Sequence, residues 1–227
     1  MNKKLKVIAT IKDGIAIALV NYLSLVAAAV LYVLTLWIPY LNVGTTIAMC
    51  SLPAEMAKGN VVNPLFIFKA EYRRNMGEFF ILMSLMYGAI GVGFLFMGIP
   101  GMVLSVAWSF AAVLFVDKGL NALEALRESN RITYGNKWRI FGAEFLAVLA
   151  LMIVMTIISL LFSIGEISSL ETIGAIINFI LAIFAVPVIY GVEASIYKQL
   201  TTGNIIGADE EVVEAPAEEA PKAAAKK

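Results

Sequence analysis

Four carboxylates stand at the edges of long apolar stretches: Glu55, Glu78, Glu144 and Glu193. A carboxylate in or beside hydrocarbon is costly to hold, so each raises the question of cation binding or proton relay. Glu144 and Glu193 have the strongest claim as an ion or proton site. The competing account is structural, since each acid lies near a helix end. Lys58 follows Glu55 by three residues, and Arg139 and Lys198 are each five residues from Glu144 and Glu193. Other chemistry is limited by residue type. The chain has no His and a single Cys, Cys50. A triad built on a His base is excluded, and a zinc, haem or iron–sulfur centre has too few soft ligands. We therefore expect no catalytic, cofactor or metal residue and no intrachain disulfide, and we read the protein as a non-enzyme.

A second constellation lies between Ile99 and Phe141. Asp117 and Gly119 leave an apolar stretch, Glu124-Ala125-Leu126 and Ser129 follow, and Thr133, Gly135, Asn136 and Trp138 precede the next stretch. Each type has a physical reading. Ala125 and Ser129 are small enough for close helix approach, Gly135 suits a helix stop, and Asn136 suits a cap for the following helix. Trp138 belongs at the headgroup level, where an amphipathic ring is half wet. The pattern resembles a broad group of bacterial integral membrane proteins of unknown function. It is also similar to the membrane domain fused to some glycerophosphodiester phosphodiesterases. The resemblance implies a six-helix membrane fold. It implies no catalytic inheritance, because those enzymes keep their chemistry in a separate soluble barrel with His, absent here.

The elements that position these residues follow from hydropathy and charge. The chain of 227 residues is 60% hydrophobic and 15% charged, with mean hydropathy +0.86. That is too apolar for a soluble domain of this size. Its seventeen Lys and Arg fall in four clusters: residues 3–12, 58–74, 118–139 and 198–227. The three apolar stretches between them contain neither. Each must leave and return to the basic side, so six spans are expected as three hairpins with both termini cytoplasmic. The expected spans are 14–38, 43–57, 79–97, 102–116, 140–164 and 172–197, each near the ~20 residues that cross hydrocarbon. The stretch 43–57 is short and carries Thr45, Thr46 and Pro53, so a re-entrant segment competes there. Pro187 is expected to kink the sixth span.

The outer turns are short and uncharged at Tyr40–Gly44 and Gly98–Gly101, with a third through Gly165–Glu171. Two cytoplasmic connectors read as amphipathic surface helices. The first has Asn63 as cap, Pro64 at the first helical position, and Leu65, Phe68, Tyr72 and Met76 on one face. The second runs from Asn121 to Thr133. Ala122, Ala125, Leu126, Ser129, Ile132 and Thr133 form its small or apolar face, opposite Glu124, Arg127, Glu128 and Arg131. Lys58-Gly59 before one connector and Lys118-Gly119 before the other hint at an internal repeat.

The first apolar run is longer than a signal-peptide core of ~7–15 residues, so a retained first helix is expected. Gly88, Gly91 and Gly93 suit helix packing, and Asn21 and Asn178 suit hydrogen bonds between helices. Residues 1–203 are read as the transmembrane domain. Residues 204–227, rich in Ala, Glu, Pro and Lys, are read as a disordered cytoplasmic tail. The expected localisation is a bacterial cytoplasmic (inner) membrane. Expected partners are membrane lipids and other membrane proteins or further copies of the chain; nucleic acid is not expected. The leading functional expectation is a membrane-organising or accessory subunit acting through its cytoplasmic face. The alternative is a small-solute or ion transporter.

Overall fold

Apolar side chains that would be a liability in water cover the flanks of this molecule. Leu95, Met97 and Trp37 are 85%, 93% and 88% exposed, and the lateral faces of the long helices are lined with exposed Leu, Ile, Val and Phe. Such a continuous apolar surface needs a lipid solvent. The computed structural model describes residues 4–163, 168–203 and 206. Among these the regular structure is helical throughout: α1 (Val7–Val20), α2 (Tyr22–Thr35), α3 (Leu41–Ala57), α4 (Met76–Leu95), α5 (Ile99–Ala107), α6 (Ala111–Lys118), α7 (Ala122–Thr133), α8 (Lys137–Ser163) and α9 (Ser168–Thr202). Four stretches are long and apolar enough to cross a membrane: Met76–Leu95, Ile99–Lys118, Lys137–Leu160 and Ile173–Thr202. Counting the bent pair α1–α2 as one broken span makes five.

Three elements differ from the sequence expectation. The first apolar run is not a single helix over 14–38 but two helices meeting at 78°. Asn21 stands at the break with φ −108° and ψ 10°. Its buried side chain turns away from the helix, and Oδ1 accepts the Val62 N–H at 2.9 Å. The span expected at 102–116 is likewise interrupted, at Trp108–Phe110 between α5 and α6. The connector after Lys58 is not an amphipathic α-helix. It forms two short 3-10 helices, Pro64–Phe68 and Ala70–Arg73. Asn63 does cap it, accepting from the Leu65 N–H at 3.0 Å. However, the buried residues are Phe66 and Ile67, whereas Leu65 is 62% exposed. The helical period assumed for the connector puts its apolar face in the wrong register.

α3 is the enclosed helix. Its 17 residues reach about 26 Å at 1.5 Å each, short of ~30 Å of hydrocarbon. It packs on α9, α6, α2, α4 and both 3-10 helices. Enclosure suits its composition, because polar side chains at membrane depth need protein partners. Thr35 and Thr45 share a hydroxyl hydrogen bond of 2.9 Å, and Tyr32 and Thr46 one of 3.2 Å. Around α3 and α9 lie three apolar clusters. One centres on Phe110, Leu114, Ile140 and Ile196, the second on Leu25, Leu52, Met56 and Ile67, and the third on Leu82, Phe115 and Leu126.

α1 and α9 meet with almost no side chain between them. A Cβ added at Gly191 would run into the Gly14 carbonyl oxygen and stand 2.7 Å from Ala18 Cβ; one at Gly14 would stand 2.7 Å from Val192 Cα. Gly93 fits against α5 in the same way, with Gly101 N at 2.7 Å. Gly88 and Gly91 have open space where a Cβ would go, so of the three expected packing glycines only Gly93 has that role. Pro187 lies inside α9, and in the turn before it the Phe184 carbonyl accepts the Tyr22 hydroxyl at 2.9 Å. Asn178 Oδ1 is buried and has no partner among the described residues. The expected tail 204–227 lies outside the described residues, apart from Ile206, and so do residues 165–167 of the third outer turn; the rest of that expected turn, 168–171, is instead the start of α9.

Candidate functional site on the basic face

The motif residues are drawn together by a carbonyl that the broken span leaves free. In an unbroken helix the Ala111 N–H would bond to the Ala107 carbonyl. Here it bonds to Trp108 O instead. The freed Ala107 carbonyl accepts the Ser129 hydroxyl at 2.9 Å and faces the Thr133 hydroxyl at 3.4 Å. Both donors are fully buried, so α7 is docked onto the break by its own small face. That face is the one expected from the sequence: Ala122, Ala125, Leu126, Ser129 and Thr133 are all buried. Asn121 and Glu124 close a reciprocal capping box at its start. Gly119 and Gly135, at φ 62° and 82°, take the left-handed backbone that turns the chain before and after α7.

Asp117, in the last turn of α6, joins two other parts of the chain. Its carboxylate accepts the Tyr197 hydroxyl at 2.6 Å and pairs with Lys58 at the end of α3. Lys58 also pairs with Glu55 at 3.1 Å, and Asn60 donates to the same acid at 2.8 Å. A 330 Å³ cleft opens here, lined by Ser51, Glu55, Lys58, Tyr72, Asn75 and Asp117 among others. Asn136 has a different task from the cap expected of it. Its buried Oδ1 accepts the Leu5 N–H at 2.9 Å, and Arg139 donates to the Leu5 carbonyl at 2.7 Å. Trp138 is exposed, with Phe141 in T-shaped contact. The motif therefore ties four separate parts of the chain together: the N-terminal segment, the end of α3, the break between α5 and α6, and the end of α9.

The acids divide into two groups. Glu78 is exposed, and Glu55 is taken up by Lys58 as the structural account expects. The bases expected to pair with Glu144 and Glu193 go elsewhere. Arg139 holds Leu5, and Lys198 lies 3.9 Å from Asp13. Glu144 on α8 and Glu193 on α9 are both half-buried, on helices that pack against each other. Glu193 lines a 310 Å³ cleft with Cys50, Pro53, Met83, Ser109 and Tyr190, most of whose wall is apolar. Among the described residues no cluster of three or more acids or Cys could hold a metal ion.

Sequence reasoning passed over a buried polar cluster between α1 and α9. The Ser195 hydroxyl donates to Asp13 at 2.8 Å, while the Gln199 amide donates to Thr10 at 3.1 Å and to Ser195. One available signal was Asp13, an acid one residue before the apolar run; the partners lie more than 180 residues away.

Glu128 carries a pH prediction. Arg131 at 2.6 Å and Lys118 at 2.9 Å hold its carboxyl at about 2, well below the ordinary 4.5. A lowered folded-state value means that the stabilisation is complete above the ordinary carboxylate range. It is lost as pH falls towards about 2. Arg131 is largely exposed, so the effect is modest and salt-sensitive. Melting curves in detergent across that acidic range should show a shallower acid loss for Glu128→Gln than for the parent. Identical slopes would remove Glu128 from the account.

The fold and site define a helical membrane protein whose basic-side helix is clamped to the bundle. No protein-family model, curated protein or solved structure matches the chain.

Proposed function

We propose that the protein is a non-enzymatic, six-span membrane protein of a bacterial inner membrane, with both termini cytoplasmic, serving as a membrane-organising or accessory subunit through its basic face. The observation that carries this reading is the use made of the motif. Its polar side chains are taken up in holding α7, Leu5, Lys58 and Tyr197 together, which supports a use of the motif in shaping a cytoplasmic surface. The same contacts join residues within, or one position from, each of the four basic clusters, which supports placing those clusters on one side of the bilayer. In the six-span topology α1–α2 is a broken first crossing and α3 its short return.

A transporter is the second reading, favoured by Glu193, a half-buried acid that lines an open cleft. One preparation separates the two. Single cysteines at Tyr40, Pro100 and Ser168 should all react with an impermeant label from outside; protection at any one breaks the topology. Gentle extraction followed by mass spectrometry should then retain a companion membrane protein at fixed stoichiometry. A chain recovered alone, with a cation flux in proteoliposomes that Glu193→Gln abolishes, would decide for transport.

A further inference from the structure

The clamp on Leu5 has a consequence at the surface. By holding the Leu5 peptide from both sides, Asn136 and Arg139 bring Lys4 to the start of α8. There Lys4, Lys137 and Arg139 line one pocket of 400 Å³ with Tyr134, Gly135 and Trp138. Three cations face it and no acid lines it. Among the described residues none of the three is paired with an acid: Lys137 donates to the Asn130 amide oxygen at 2.8 Å and Arg139 to a backbone carbonyl. Each therefore keeps spare donors, since an ammonium has three and a guanidinium five. The pocket also opens at the N-terminus of a 27-residue helix, where the dipole adds to the attraction for an anion. Such a concentration of like charge calls for an anionic ligand.

The surroundings say which kind of anion. Trp138 and Tyr134 flank the pocket and are 75% and 71% exposed, a placement suited to the headgroup layer. From Trp138 an aromatic ladder climbs the outer face of α8. Trp138 meets Phe141 edge-on at 6.4 Å, and Phe141 stacks on Phe145 at 5.7 Å and 18°. Phe145 and Met152 continue the exposed apolar strip upward. A free phosphate or an acidic peptide would use the cations and leave the ladder bare. An amphiphile uses both. Basic pockets on the cytoplasmic side of transmembrane helices are known to favour anionic headgroups.

We propose that Lys4, Lys137 and Arg139 bind the phosphate of an anionic phospholipid whose acyl chain lies along the Trp138–Phe141–Phe145 ladder. This site rests on the placement of the basic face at the bilayer surface. It gives that face a specific lipid ligand, and it gives the motif a purpose beyond packing, because Asn136 assembles the pocket by fixing Leu5.

The test uses the full chain in phosphatidylcholine vesicles containing a minor fraction of brominated lipid. The Trp138 signal is taken as the difference between the parent and Trp138→Phe. Brominated phosphatidylglycerol should quench it several-fold more than the same fraction of brominated phosphatidylcholine. The double variant Lys4→Gln/Lys137→Gln should bring the two to equality, and Lys4→Arg/Lys137→Arg should keep the preference. Equal quenching by both lipids in the parent overturns the site and leaves the membrane placement standing. No quenching by either overturns both. Displacement of the brominated lipid by millimolar inorganic phosphate would assign the pocket to a free anion and overturn the lipid.

Discussion

Gly191→Leu should abolish monodisperse recovery of the protein in detergent, and even Gly191→Ala should lower its melting temperature sharply. The reason is the α1–α9 crossing, where two backbones touch. A single methyl at Gly191 meets the Gly14 carbonyl oxygen and Ala18 Cβ. Neither is the far end of a flexible side chain, so one helix must move. Overpacking a close contact costs ~1–3 kcal/mol, occasionally more, and a clash with backbone belongs at the upper end. Alanine's better helix propensity returns only about 1 kcal/mol. Gly88→Ala and Gly91→Ala provide the control. A methyl at either meets open space, so both should melt at or slightly above the parent temperature. If Gly191→Ala behaves like Gly88→Ala, the α1–α9 crossing is looser than described.

Asn136→Leu should be the next most damaging change. The substitution keeps the bulk of the side chain and removes the acceptor for the Leu5 N–H, a buried hydrogen bond spanning 131 residues. A buried donor left without a partner costs about 1–3 kcal/mol. Two results are expected together. The melting temperature falls, and hydrogen exchange at the Leu5 amide accelerates by one to two orders of magnitude, the exchange equivalent of that cost. Asn136→Asp keeps an oxygen in the same place and should preserve most of the protection. Equal exchange in all three proteins would mean that Leu5 is held by Arg139 alone.

α7 was the most legible element because its apolar and small residues recur at helical spacing. The capping box of Asn121 and Glu124 is a second local signal, one the reading did not use. The pairing of Lys58 with Glu55 was legible for the same reason, being a contact within one helical turn. The first connector was misread because its apolar residues are compatible with more than one helical period. Phe66 and Ile67 are adjacent in sequence, and both are buried by the tighter 3-10 turn. Asn136 was read as a cap because a helix follows it, yet its side chain is claimed by a peptide at the other end of the chain.

What the sequence determined by itself is the class of protein: long apolar stretches, basic clusters between them, and the face of α7 that is buried. Those are properties of composition and local period, which each segment carries wherever it is placed. The tertiary structure decided the rest. It left Glu193 lining an open cleft, placed the neighbouring bases on Asp13 and Leu5, and broke two expected helices at Asn21 and at Trp108–Phe110. Whether a carboxylate is paired and whether a helix bends depend on which distant group offers a donor or a space. Only the packing of the helices and connectors against one another supplies that information.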